Sequence, residues 1–156
     1  YAAEGENNLR FSSAKADSIG GTFEYEDGSR LELEDYFILD PTVIYFNDEW
    51  HHYTTTHGQI ENDGGEVSFH SVSDDGLNFE RQDDIVLDVS MLGGATVTNE
   101  GKLLFFGSGG QGISSVAVSE DGYNWKMDES FSRIGSDPGI VQLEDGTFLM
   151  LTQSKE

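Results

Sequence analysis

The sequence predicts an all-β fold, a β-propeller of four-stranded antiparallel blades, with about three blades per chain. Three observations carry this. Residues 73–79 read Ser-Asp-Asp-Gly-Leu-Asn-Phe and residues 119–125 read Ser-Glu-Asp-Gly-Tyr-Asn-Trp, so one Ser-x-Asp-Gly-x-Asn-aromatic phrase recurs after 46 residues (73 to 119). A second pair, Leu39-Asp40-Pro41-Thr42-Val43-Ile44 and Ser136-Asp137-Pro138-Gly139-Ile140-Val141, lies 97 residues apart (40 to 137), close to two of those periods. Finally, 19 glycines and an aromatic content of 12% suit short strands joined by tight turns.

The elements follow in order. Residues 9–14 and 22–25 read as strands around a turn region at 17–21, followed by Gly28-Ser29-Arg30-Leu31. Together they resemble a degenerate pair of outer strands. Residues 42–46 are β-branched and aromatic, Asn47-Asp48-Glu49 is a turn, and residues 50–56 are again strand-like. A polar loop at 58–65 leads to an alternating strand at 66–72, the Asp74-Asp75-Gly76 hairpin and a last strand beginning at 78–81. The next blade repeats the scheme with strands at 95–98, 102–107, 113–118 and 124–127. A third unit offers only two strands, at 139–143 and 147–152, around Glu144-Asp145-Gly146. The division expected is therefore an outer half blade over 1–39, blades over 40–90 and 91–135, and an inner half blade over 136–156.

About three blades cannot close a ring, because propellers have four or more. Exposed strand edges would remain, which proteins avoid. The expected solution is a homodimer in which the strand at 147–152 of one copy joins the strands at 9–25 of the other, giving a six-bladed ring. Sequence beyond this chain is the other way to close it.

Composition narrows the partners. Eight basic residues stand against 30 acidic ones, a net charge of −22, and such a field repels nucleic acid and anionic membranes. No stretch approaches the roughly 18 apolar residues of a membrane span. With no cysteine, disulfides and thiolate metal sites are excluded. The acidity is spread along the chain, which reads first as solvation and second as a capacity for divalent cations.

The phrases quoted above resemble the five- and six-bladed propeller clan of glycosidases and sialidase-like proteins. Asp40-Pro41-Thr42-Val43 looks like that clan's opening of an inner strand. Asp145-Gly146-Thr147-Phe148-Leu149-Met150 looks like its turn into the second strand. Ser119-Glu120-Asp121-Gly122-Tyr123-Asn124-Trp125 is similar to a shortened sialidase Asp-box, or BNR-type, hairpin. The resemblance implies that Ser73, Asp75, Phe79, Ser119, Asp121 and Trp125 are structural, the polar groups bonding turn backbone and the aromatics packing between sheets. It further implies a carbohydrate partner, a secreted or extracellular location and a reacting centre on the central channel. In arabinan- and xylan-cleaving members, an Asp before Pro is the general base and a second, two blades on, tunes the acid; Asp40 and Asp137 match both positions. Inverting hydrolysis needs carboxylates across the scissile bond, roughly 6.5–9.5 Å apart, one of them kept protonated.

Two departures qualify the match. No Glu occupies an evident general-acid position, and the middle blade reads Gly93-Gly94 where Asp-Pro would fall. Two copies each of Asp40 and Asp137 could hold a cation such as Ca²⁺ as readily as they cleave a sugar, and an Asp-Pro pair can also serve only to start a turn. Sialidase chemistry wants an arginine triad, whereas Arg30 and Arg81 fall near outer-strand positions and only Arg10 and Arg133 remain. The other cluster is Trp50-His51-His52-Tyr53 with His57. On a strand His51 and Tyr53 face one way, Trp50 and His52 the other, so adjacent histidines cannot chelate one metal. A His/carboxylate site would need His70 or Asp40 nearby. Trp50, His52 and Tyr45 are the candidates for stacking against a sugar, with plain strand packing as the alternative. Residues 107–112 are glycine-rich but lack the Lys-Ser/Thr ending of a phosphate loop.

Overall fold

The computed structural model describes residues 2–4, 9–33, 36, 38–56, 60, 63–109 and 113–153. His57, half of the polar loop after it and the end of the glycine-rich segment lie outside the described residues. All regular structure among those described is β, in sixteen strands.

The N-terminal region holds β1 (Ala2–Glu4), β2 (Leu9–Phe11), β3 (Ala14–Lys15), β4 (Glu24–Tyr25) and β5 (Leu31–Glu32). β2 pairs with β5 and β3 with β4. Backbone bonds from Glu26 N–H to the Ser13 carbonyl (3.0 Å) and from Arg30 N–H to the Phe11 carbonyl (2.7 Å) link the two pairs into one irregular hairpin. The sequence shows this hairpin but not β1, whose three residues have too little pattern to read. β1 pairs along β2 and approaches β6 (Leu39–Phe46). The edge of β2 on which a second copy was expected to dock is thus already taken.

The second sheet is built on β6, β7 (Glu49–Thr55) and β8 (Glu66–Ser73), with β9 (Glu80–Arg81) and β10 (Ile85–Leu87) both on the outer side of β8. The outer strand expected at 78–81 is therefore broken in two. Asn47 and Asp48 both have positive φ, 51° and 66°, as a two-residue turn between β6 and β7 requires to match strand twist. The third sheet runs β11 (Ser90–Val97), β12 (Leu103–Gly109), β13 (Ile113–Ser119), β14 (Trp125–Ile134) in sequential order. β15 (Ser136–Gln142) and β16 (Phe148–Gln153) form a separate two-stranded sheet.

The first strands of the last three sheets lie side by side, β6 against β11 and β11 against β15. Thr42 Oγ1 of β6 donates to the Gly93 carbonyl of β11 at 3.0 Å. Asp137 N–H of β15 donates to Ser108 Oγ of β12 at 3.2 Å. Sheets radiating from neighbouring first strands constitute a partial β-propeller, as the repeats predict.

Strand alternation divides the apolar residues between two cores. Phe46 and Tyr53 pack with Ile85, Leu87, Val89, Met91, Leu103, Phe105 and Ala117 between the second and third sheets. Phe11, Leu31, Leu33, Ile38, Val67 and Phe69 pack between the N-terminal sheet and the second. The β6–β8 sheet is covered on both faces, which is why β7 and β8 are almost wholly buried.

The repeated turns are superimposable in their bonding. In the first, Gly76 N–H donates to Ser73 Oγ (3.0 Å), and Leu77 and Asn78 N–H donate to Asp75 Oδ1 (2.8 and 2.9 Å). In the second, Gly122 N–H donates to Ser119 Oγ (2.8 Å), and Tyr123 and Asn124 N–H donate to Asp121 Oδ1 (2.8 and 2.7 Å). These bonds, led by the backbone amides of Asn78 and Asn124, hold both carboxylates well below the usual range. The second turn also reaches the neighbouring sheet. The Gly122 carbonyl accepts from Tyr53 OH at 2.8 Å and from Trp125 Nε1 at 3.1 Å. Its φ is +83°, and a Cβ there would run into the His51 ring.

Gly101, with φ +74° and open space around its Cβ position, isolates the backbone contribution. Gly101→Ala is expected to cost about 1 kcal/mol, the left-handed penalty alone. Gly122→Ala should cost about 2–4 kcal/mol, because collision with His51 adds to it. Urea unfolding of both variants checks this, and equal losses would show that the turn does not bear on His51.

Candidate functional site

The two Asp-Pro pairs occupy matching places. In β6 the pairing steps from Leu39 with Thr55 to Thr42 with Tyr53, leaving Asp40-Pro41 as a bulge. In β15 it steps from Ser136 with Gln153 to Gly139 with Leu151, leaving Asp137-Pro138. Both Asp side chains are exposed and both residues have left-handed backbone, φ 43° and 51°. That conformation is disfavoured for L-residues, and a following proline restricts it further. A strained conformation of this kind costs about 1–3 kcal/mol and tends to gather at functional positions. In β11 the pairing steps from Ser90 with Ser108 to Gly93 with Gly107, so the corresponding pair is Met91-Leu92. The expected equivalence with Gly93-Gly94 is off by two residues: Gly93 holds the place of Thr42 and Gly139, just past the bulge. Met91 is fully buried, so the middle first strand offers core rather than carboxylate at this point.

The aromatic candidates lie elsewhere on the same sheet. Alternation along β7 is as the sequence predicts: His51 and Tyr53 face the third sheet, Trp50 and His52 the N-terminal hairpin. Trp50 and His52 line a cavity of about 540 Å³ together with Pro41 and Val43, the hairpin residues 11–15, Glu26 and Arg30, and the turn residues 75–77 and 79. Asp40, Asp137 and Tyr45 do not line it. Tyr45 is half exposed and meets Trp50 at 5.1 Å between ring centroids. His52 sits edge-on between Phe11 (4.7 Å) and Phe79 (5.6 Å). Both of its ring nitrogens are buried without a hydrogen-bond partner among the described residues. Arg30, expected at the outer rim, instead reaches into this cavity because the irregular hairpin folds back over β7.

The other face of β7 carries a polar stack that sequence reasoning did not foresee. His51 Nδ1 and His70 Nε2 are 3.0 Å apart, one donating to the other, and their rings are parallel at 5.2 Å. Tyr53 stacks on His70 at 4.9 Å, and Tyr123 closes the end edge-on. Tyr123 OH donates to Glu49 Oε2 at 2.7 Å, and His51 Nε2 faces the same oxygen at 3.9 Å. The Ser71–Arg81 and Tyr53–His70 pairings fix His70 opposite Tyr53, a register that sequence spacing alone does not give. Among the described residues no group of three or more His, Cys, Asp or Glu is placed to hold a metal ion.

Burial is the main cause of depressed basicity on both faces of β7. It lowers the His52 pKa to about 4 and, with the neighbouring His51 and His52, that of His70 to about 3; His51 is lowered as well. Burial likewise pushes the Tyr123 phenol up to about 12, assisted by its bond to Glu49. All three imidazoles are neutral at pH 7.

No family model and no curated protein sequence matches the chain. Solved structures do. The GH43_1 enzyme from Xanthomonas citri, complexed with xylose, matches with a TM-score of 0.50 and 14% identity, over 76% of this chain and 40% of that one. A putative glycoside hydrolase from Parabacteroides distasonis ATCC 8503 matches with a TM-score of 0.45 and 14% identity, over 60% and 32%. At this identity the likeness is one of fold, and the chain spans well under half the length of either neighbour. It is a partial β-propeller.

The depressed histidines make stability pH-dependent with a defined sign. An imidazole whose folded pKa lies below its unfolded value of 6.5 takes up its proton preferentially in the unfolded chain. Its contribution is therefore whole above pH 6.5 and is lost as pH falls toward the folded value. For His52 the loss between pH 7 and pH 5 is about 2 kcal/mol. Urea unfolding at the two pH values should show His52→Phe losing about that much less than the parent chain. Equal losses would mean that His52 is not held neutral.

Proposed function

We propose that the chain is the carbohydrate-interacting part of a glycosidase-like propeller, with its site at the Asp40 and Asp137 bulges on the first strands. The observation that carries this reading is the repeated left-handed Asp before Pro, at one register position in β6 and β15. A turn-starting pair alone has no need of that backbone strain twice over. The fold shared with a xylose-bound GH43_1 enzyme supports a pentose or related sugar as ligand. In this reading one Asp draws a proton from water as the water attacks the anomeric carbon, and a carboxylic acid outside this chain's described strands protonates the leaving oxygen. Completion of the ring belongs to the same proposal. A second copy supplies the further blades, meeting β1 rather than β2, and brings a second Asp pair that could bind Ca²⁺ in the channel. The alternative, a non-catalytic binding module, keeps the sugar contact without the acid.

Light scattering is expected to give a stable mass near twice 17.2 kDa. A monomer would move ring closure to sequence beyond this chain. With the assembly defined, Asp40→Asn and Asp137→Asn should each lower hydrolysis of an aryl xyloside by about 10²–10⁴-fold. Sugar binding without turnover would favour the binding module. Turnover unchanged in both variants would remove these residues from the site.

A further inference from the structure

We propose that the His51–His70 pair is an acid release at the junction of the second and third sheets: with both rings charged it lets go of the Gly122 turn. Asp40 and Asp137 take no part in it. Both rings are shut off from solvent, His51 at 0% and His70 at 1% exposure. They project from adjacent strands, β7 and β8, toward the second turn, where Tyr123 meets each of them edge-on.

Geometry limits how many protons the pair can hold. His51 Nδ1 and His70 Nε2 face each other at 3.0 Å, a hydrogen bond that needs hydrogen on one of them and a lone pair on the other. His51 Nε2, buried and without a hydrogen-bond partner among the described residues, looks toward Glu49 Oε2 at 3.9 Å. A bare nitrogen there would set a lone pair against the carboxylate. That contact therefore assigns the His51 proton to Nε2 and makes His70 the donor across the pair. Two neutral rings thus carry two protons on four nitrogens. A third fits on the outer nitrogen of His70 without touching the bond. A fourth puts hydrogen on both facing nitrogens, and two cations with no acceptor between them cannot keep that contact.

Separation of the rings acts on the turn through two contacts. A Cβ at Gly122 would lie 2.4–2.9 Å from three atoms of the His51 ring, so the turn backbone rests directly on that ring. Tyr53, whose OH holds the Gly122 carbonyl at 2.8 Å, is stacked on His70 at 4.9 Å. Neither ring can move aside without disturbing one of the turn's supports. The titratable groups around the pair are Glu49 and Tyr53 on β7 and Asp121 and Tyr123 on the second turn. His52 lies behind on the other face of β7, and Asp74 of the first turn acts on Tyr123. The core beside the pair takes only apolar side chains from the third sheet. Burial holds both imidazoles below 6.5, His70 down to about 3 with help from the neighbouring His51, against the pull of Asp121 and, at His51, of Glu49. The closed form is therefore whole above pH 6.5, and as pH falls toward the folded values the open form takes up protons preferentially, so acid drives opening.

The test follows the two indole N–H signals of the ¹⁵N-labelled chain from pH 7 down to about 3, told apart by Trp50→Phe. Trp125 Nε1 donates to the Gly122 carbonyl at 3.1 Å and so reports on the turn. Its signal is expected to move while far-UV circular dichroism still shows the sheets, and the ring nitrogens of His51 and His70 should take up protons over the same pH range. His70→Gln keeps a donor toward His51 and cannot charge, so it should lower the midpoint of the Trp125 change by at least about one pH unit. A Trp125 signal unmoved at the acid end, with or without protonation of the histidines, would overturn the proposal. So would a change that coincides with loss of the circular dichroism signal, which is global unfolding, or an unchanged midpoint in His70→Gln. The first two outcomes are read on the parent chain and stand whether or not the variant folds.

Discussion

The Gly122 carbonyl is the point at which one sheet is fixed to the next. Two β-sheets packed only through apolar side chains can slide, because the hydrophobic effect has no direction. Here a turn at the rim of the third sheet delivers one oxygen to Tyr53 OH of the second and to Trp125 Nε1 of its own. The turn can come that close only without a Cβ, and it keeps its shape because Ser119 and Asp121 bond its amides. The phrase Ser-x-Asp-Gly-x-Asn-aromatic is thus a single mechanical unit. In both copies Ser and Asp form the turn; in the second, Gly122 gives the approach and Trp125 anchors the same carbonyl that locks the neighbour.

That lock has a cost, seen in the polar stack beneath it. His51, His70, Tyr53 and Tyr123 fill the space between sheets with rings that keep one polar end each, and burial keeps the imidazoles uncharged. A more apolar set would pack there too, but Tyr53 is needed as the donor to Gly122, and its hydroxyl cannot be buried alone. The His51–His70 bond is buried, whereas Tyr123 is exposed and donates to Glu49 at the surface, where His51 Nε2 faces the same carboxylate.

The two repeats made the architecture legible, because each encodes a local geometry that every blade needs. The strand alternation of Trp50-His51-His52-Tyr53 was legible for the same reason, as a period of two. What escaped was whatever depends on register between distant strands. Spacing cannot reveal that β11 spends Met91-Leu92 on its bulge, that His70 falls opposite Tyr53, or that Arg30 turns inward over β7. Nor could the three residues of β1 be read, since so short a strand is defined by its partner and not by its own pattern. Asp40 and Asp137 were legible as a pair from the motif, and their matching bulges come from the pairing of the folded chain.

Those two residues stand on unequal footing. Asp40 sits on a strand of a five-stranded sheet whose two faces are both covered. Asp137 belongs to a sheet of two strands, and such a pair is marginal in water unless something packs on it. β11 flanks β15, but Leu149 and Leu151 of β16 are largely exposed, as are Val141 and Phe148. The left-handed backbone of Asp137 must be held against its own strain by its surroundings, and the support on its open side is missing from this chain's described strands. The geometry at Asp40 is therefore a property of the chain as it stands. That at Asp137 is supported only on the side of the third sheet among the described strands, so a site that used both residues would need further packing on the open face of β16.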